Sequence, residues 1–142
     1  MNIEHGINAN GRSRAAAAKF DLEDRLLDYA AEVIRFIESL VKSEAGRHVS
    51  GQLLRSGTAP LAHQGEATSA ESTKDFIHKM KVALKELRES LRWIKLVVRI
   101  PLIKETTSAE KLPTETDELI RIFVTSIRTA KSNALRSERA ER

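Results

Sequence analysis

Residues 72–99, STKDFIHKMKVALKELRESLRWIKLVVR, decide the fold. Ile77, Met80, Ala83, Leu84, Leu87, Leu91, Ile94 and Val98 recur at alternating spacings of three and four, the period of a helix with one buried face. Ser72 stands three residues ahead of Asp75, the arrangement of a side-chain cap on a helix N-terminus, and Pro101 stops the pattern near Arg99. A single long amphipathic helix cannot bury its own seam, so the rest of the chain must supply partners.

Working downstream, IPLIKETTSAEKLPTET reads as a connection with one helical turn of its own over Ser108 to Leu112. A further helix is expected from Thr114 or Thr116, with Glu115, Asp117 and Glu118 favouring its positive end. Leu119, Ile120, Phe123, Ile127 and Ala130 face inward, and fraying is expected by Arg136. Upstream, Phe20 to Lys42 places Leu22, Leu26, Tyr29, Val33, Phe36, Ile37 and Leu40 on one helical face.

Between these lies QLLRSGTAPLAHQGEA, residues 52–67, inside a second helix expected from about Arg47 to Glu66, with Val49, Leu53, Leu54 and Leu61 on its inner side. Gly51, Gly57 and Gly65 each cost about 1 kcal/mol relative to Ala in a helix, and Pro60 removes the bond to the carbonyl of Ser56 and tends to kink the chain. Such a stretch needs a packing reason. Ser56, Gly57, Thr58 and Ala59 form a shallow strip on which a neighbouring helix can approach closely.

The expected fold is therefore all-α, an antiparallel up-and-down four-helix bundle with a kinked second helix. With 142 residues, one domain accounts for the length. Its limits are read as a loose arm over residues 1–19, the bundle over 20–136 and a charged tail over 137–142. Three Pro and six Gly are too few for an all-β fold, and the absence of Cys excludes disulfides, thiolate metal sites and Cys nucleophiles. The four alanines after Arg14 are too short a run for a signal peptide, and no segment approaches the ~20 apolar residues of a membrane span. A cytoplasmic protein is expected.

The catalytic and metal motifs that a helical protein could carry are missing from the sequence. His5, His48, His63 and His78 form no HExxH pair, and Asp75-Phe-Ile-His78 is a lone approximation to the Glu-x-x-His repeat of di-iron bundles. No phosphate-binding Gly loop or nucleophile elbow is present. No cofactor, metal or catalytic residue is assigned, and a non-enzyme is expected. Arg55, His63 and Glu66 share nearly one face of the second helix. With Glu86 and Glu89 of the third helix they read as a structural polar network, with Arg55 paired to one of those two carboxylates.

Charge placement is more informative. The net charge is +4, yet the segment from Lys74 to Lys104 holds nine Lys plus Arg against Asp75, Glu86 and Glu89, so 9 − 3 gives +6. Lys81, Lys85, Arg88, Arg92, Lys95 and Arg99 fall at intervals of four, three, four, three and four, one narrow stripe about 27 Å long at 1.5 Å per residue. A stripe of that length matches several phosphates of a nucleic-acid strand, although charge runs on helices also serve simply as solvated faces. No aromatic interleaves it, which favours backbone contact over base stacking. Two apolar groups are surplus to a bundle core: the line Leu27, Ile34, Val41 and the patch Val82, Trp93, Leu96. Both are expected to be covered in an oligomer or by a protein partner.

FDLEDRLLDYAAEVI (residues 20–34), QLLRSGTAPLAHQGEA (52–67) and AESTKDFIHKMKVALKELRESLRWIKLV (70–97) together resemble the small bacterial four-helix-bundle proteins related to the intervening-sequence proteins encoded inside 23S rRNA genes, the S23-like family. The RSGT stretch, the following EA and then ES with DFIHK carry the likeness. It implies an up-and-down bundle and, as in the similar accessory protein of diversity-generating retroelements, a basic homopentamer engaging nucleic acid. Relatives commonly have Asn ahead of the E-A pair where this chain has His63. Two functions are open on this reading: an oligomeric scaffold binding RNA or DNA backbone through the stripe, or a protein-interaction module with no nucleic-acid role.

Overall fold

The computed structural model describes residues 14–103 and 107–141, with side chains described for 22–103 and 110–141. Four helices follow one another: α1 (Arg14–Glu38), α2 (Glu44–Thr68), α3 (Thr73–Arg99) and α4 (Thr107–Ala140). Each packs on its neighbour in sequence, and α1 meets α4 to close the ring. Register follows from cross-helix pairs. Glu66 faces Lys79 and Ser56 faces Ser90 across α2 and α3, while Tyr29 meets Thr116 and Leu40 bridges Ile103 on the α1–α4 side. Residue numbers rise along one partner as they fall along the other.

The helix limits differ from the sequence reading in instructive ways. α1 begins at Arg14, so residues 14–19 of the expected arm are helical, and it stops at Glu38, four residues before Lys42. Residues 1–13 lie outside the described residues. α2 starts earlier than the expected Arg47: Ser43 accepts from the Gly46 N–H at 3.0 Å as its N-cap, and the helix is under way from Glu44. Ser72 caps α3 on the Asp75 N–H at 3.1 Å. The separate turn expected at Ser108–Leu112 is the opening of α4, which runs through Pro113 and continues to Ala140 instead of fraying at Arg136. α2 likewise continues through Pro60.

Leu26, Tyr29, Val33 and Phe36 of α1 with Leu40 just after it, Met80, Leu87, Ile94 and Val97 of α3, and Leu119, Phe123 and Ile127 of α4 make the core. α2 contributes few large side chains. Its buried face is Gly46, Val49, Leu53, Ser56, Gly57, Pro60, Gln64 and Ala67, whereas Leu54, expected inside, is 42% exposed. The small strip thus faces inward. A Cβ built on Gly57 would lie 2.7 Å from Val33 Cγ1 and 2.9 Å from its Cγ2, so α2 sits against α1 at a distance only glycine permits. Beside it, the Ser90 hydroxyl donates to the Glu86 carbonyl at 3.0 Å and lies 2.9 Å from the Ser56 hydroxyl, with which it is hydrogen-bonded.

The seam of α3 drifts from the expected line. Ser90 and Val97 are fully buried, while Leu91 is half-buried and Val98 is 46% exposed. A helix advances 100° per residue, so a strict three-four count walks off the buried face after several turns.

At one end, the Val41 N–H donates to the Leu102 carbonyl at 2.8 Å, tying the exit of α1 to the α3–α4 connection.

Candidate nucleic-acid interface

Helical spacing places Lys81, Lys85, Arg88, Arg92, Lys95 and Arg99 along the edge of α3 that adjoins α4, and all six are exposed. None makes an ion pair among the described residues, although other cations of the chain do. Arg25 bridges Glu115 and Glu118 at 2.9 and 3.0 Å, Arg121 reaches Asp117 at 3.0 Å, and Lys79 reaches Glu66 at 3.4 Å. Glu86 and Glu89 of α3 are engaged by Arg55 on the flank toward α2. The stripe therefore presents its charge uncompensated, with long side chains free to follow a polyanion.

Sequence reasoning missed what α4 adds. Val124, Ile127, Arg128 and Lys131 stand across from Lys81, Leu84, Lys85 and Arg88, and the two sets enclose a groove of about 560 Å³. The intervals of Arg128 and Lys131 on α4 were visible, but only the packing of α4 on α3 shows that they face the first half of the stripe.

The polar residues resolve into two groups. Arg55 Nη1 donates to Glu86 Oε2 at 3.0 Å and its Nη2 bonds Glu89 Oε2, which also accepts from the Trp93 indole N–H at 3.0 Å. His63 lies apart, with Nδ1 4.0 Å from Glu66 Oε2, and Lys79 shares that carboxylate. No ion pair among the described residues joins the two. Glu86 is 16% exposed and Arg55 51%, a clamp at the rim of the α2–α3 contact and not a pocket.

The surplus apolar residues also divide. Leu27, Ile34 and Val41 are 54%, 42% and 39% exposed, and Leu54 on the adjoining face of α2 is exposed as well. Leu96 is 38% exposed, but Val82 is half-buried and Trp93 packs partly against the core, its ring edge-to-face with His48 at 6.0 Å. The indole is thus occupied within the molecule, and the Val82, Trp93, Leu96 patch is narrower than its sequence spacing indicates.

A second buried network was also missed. The Tyr29 hydroxyl and Thr116 Oγ1 lie 2.7 Å apart, and Thr116 Oγ1 donates to the Leu112 carbonyl at 2.7 Å. Burial pushes the Tyr29 hydroxyl up to about 12, and the hydrogen bonds to Thr116 and Ser90 only partly offset it. This network holds α1 to α4. No helix of the described residues is long and apolar enough to cross a membrane, and no three of their His, Asp or Glu side chains gather as metal ligands.

Fold and surface together define a class: an all-α four-helix protein with one uncompensated basic flank. The chain belongs to the 23S rRNA-intervening sequence protein family, whose profile matches residues 19–125. It is similar to a solved protein of unknown function from the S23 ribosomal protein family of Bacteroides thetaiotaomicron VPI-5482, at 31% identity and a TM-score of 0.68, covering 75% of this chain and 97% of that one. No curated protein matches the chain.

Proposed function

We propose that this protein is a non-enzymatic helical scaffold that assembles with copies of itself and holds an RNA or DNA backbone along the stripe from Lys81 to Arg99. The observation that carries the reading is the row of six exposed cations on one helix without a carboxylate partner among the described residues, whereas Arg25, Arg35, Arg55, Lys79 and Arg121 are paired. Unpaired charge in a row neutralises phosphates and releases their counterions, which gives binding that is strong at low salt and tolerant of sequence. Assembly is supported by Leu27, Ile34 and Val41, an apolar line left in water by the single chain. The polar clusters at Arg55 and His63 are tied to structural partners and carry no activated nucleophile, which supports a scaffold over an enzyme.

The test is binding of a labelled structured RNA and a duplex DNA at low and moderate salt, with the mass in solution measured first. Wild type is expected to bind both, with affinity falling steeply as salt rises. The triple variant Arg88→Glu, Arg92→Glu, Lys95→Glu is expected to lose at least 100-fold while keeping its mass and helicity. Binding unchanged in that variant would overturn the reading, and no binding by wild type would favour a protein-interaction module instead.

A further inference from the structure

The groove between α3 and α4 differs from the rest of the stripe. Lys81, Lys85 and Arg88 line one wall, Arg128 and Lys131 the other, and no Asp or Glu lines it. None of these five makes an ion pair among the described residues. The floor is aliphatic, from Leu84, Val124 and Ile127. Toward Arg92, Lys95 and Arg99 the basic stripe continues outside this groove.

Lys131 and Lys81 face one another across the groove. The contact with Lys81, and then its charge, lower the Lys131 pKa although the ammonium is in water. Both ammonium groups line the same groove, on opposite helices, with no carboxylate between them. A phosphate oxygen placed between them relieves that repulsion.

Cationic walls alone fit any polyanion. The aliphatic floor is what selects. In a duplex the bases are stacked inward and only phosphates reach a recessed surface, whereas an unpaired strand can turn a base edge or face onto Leu84, Val124 and Ile127 while its phosphates meet the walls. The length fits: Lys81 to Arg88 spans two helical turns, about 10 Å, or roughly three steps of a stacked strand at about 3.4 Å each.

We infer that the α3–α4 groove is a single-strand site, in which phosphates lie between the cations of the two helices and unpaired bases rest on the aliphatic floor. The inference rests on the nucleic-acid reading of the stripe and assigns its first half a preference that the second half lacks.

The experiment measures anisotropy of three labelled probes at one salt concentration: a 12-nucleotide single strand, its blunt duplex, and an abasic strand of equal length. Wild type is expected to bind the single strand at least fivefold more tightly than either of the other two. Arg128→Glu with Lys131→Glu, both exposed, is expected to remove that preference, whereas Lys95→Glu with Arg99→Glu weakens all three probes alike. Circular dichroism on both variants confirms that the helices persist. Equal binding of strand, duplex and abasic strand, unaffected by the α4 variant, overturns the single-strand site and leaves the stripe reading standing. Failure of wild type to bind any probe overturns both. Binding of an acidic peptide through Arg128 and Lys131, with no nucleic acid bound, assigns the groove to a protein partner and also overturns the inference.

Discussion

Tyr29 is the residue on which the α1–α4 contact turns. Its hydroxyl is buried beside Thr116, and its folded-state pKa is raised to about 12 from an ordinary value near 10. Above pH 10 the unfolded chain releases this proton while the folded chain keeps it, so the unfolded state binds fewer protons and stability falls as pH rises. The contribution is full below pH 10, is lost between about 10 and 12, and amounts to roughly 2–3 kcal/mol. Tyr29→Phe is expected to lower stability by about 1 kcal/mol at pH 8 through the lost hydrogen bond. It should also flatten the decline above pH 10, as read by urea unfolding at stepped pH; a variant with the wild-type alkaline slope would place the titrating group elsewhere. The tyrosine was legible as a core residue from its spacing. Its partner was not, because Thr116 presents itself in sequence as a helix start and its burial depends on α4 beginning nine residues earlier at Thr107.

At the scale of the element, α2 is the helix whose inner face breaks the hydrophobic pattern. Midway along its inward face stand Ser56 and Gly57, where α1 and α3 both come close, through Val33 on one side and Ser90 on the other. Gly57→Ala adds a methyl that must displace Val33, and overpacking of this kind costs about 1–3 kcal/mol against a helix-propensity gain of about 1 kcal/mol. A net loss of up to about 2 kcal/mol is expected. Combining it with Val33→Ala should give a double variant about 1 kcal/mol more stable than the sum of the two changes, the sign of a shared site. Strict additivity would show that the helices move apart instead. That the strip is a packing device was readable from its composition, but which leucines face inward was not: Leu54 is as apolar as Leu53, and only the neighbours tell them apart. The α3 seam failed for the reverse reason, since Ser90 is polar yet buried by its hydrogen bonds to Ser56 and Glu86.

The whole molecule has two faces. The α3–α4 side carries unpaired cations, and the α1–α2 side carries Leu27, Ile34 and Leu54 among exposed carboxylates such as Asp24, Asp28 and Glu32. Under the assembly reading, Leu27→Asp with Ile34→Asp is expected to lower the solution mass to that of a single chain without loss of helicity, since neither side chain is in the core. A mass unchanged from wild type would put the contact on another face. The stripe was legible because it is periodic within one helix, and so were Leu27 and Ile34 of the apolar line, whereas Val41 lies beyond the end of α1. The groove was not, because it belongs to two helices 40 residues apart and exists only through their packing.

That last feature bears on how the chain behaves as it is made. Synthesis delivers α3 before α4, so a nascent chain displays the bare stripe while the opposing wall, with Arg128 and Lys131, has yet to be polymerised. Under the nucleic-acid reading, a growing chain meets the RNA around it with indiscriminate attraction only. Discrimination between paired and unpaired strands, if the groove is the single-strand site proposed above, is then acquired when α4 docks, which would make selectivity a late event in the life of each molecule and couple it to the completion of folding.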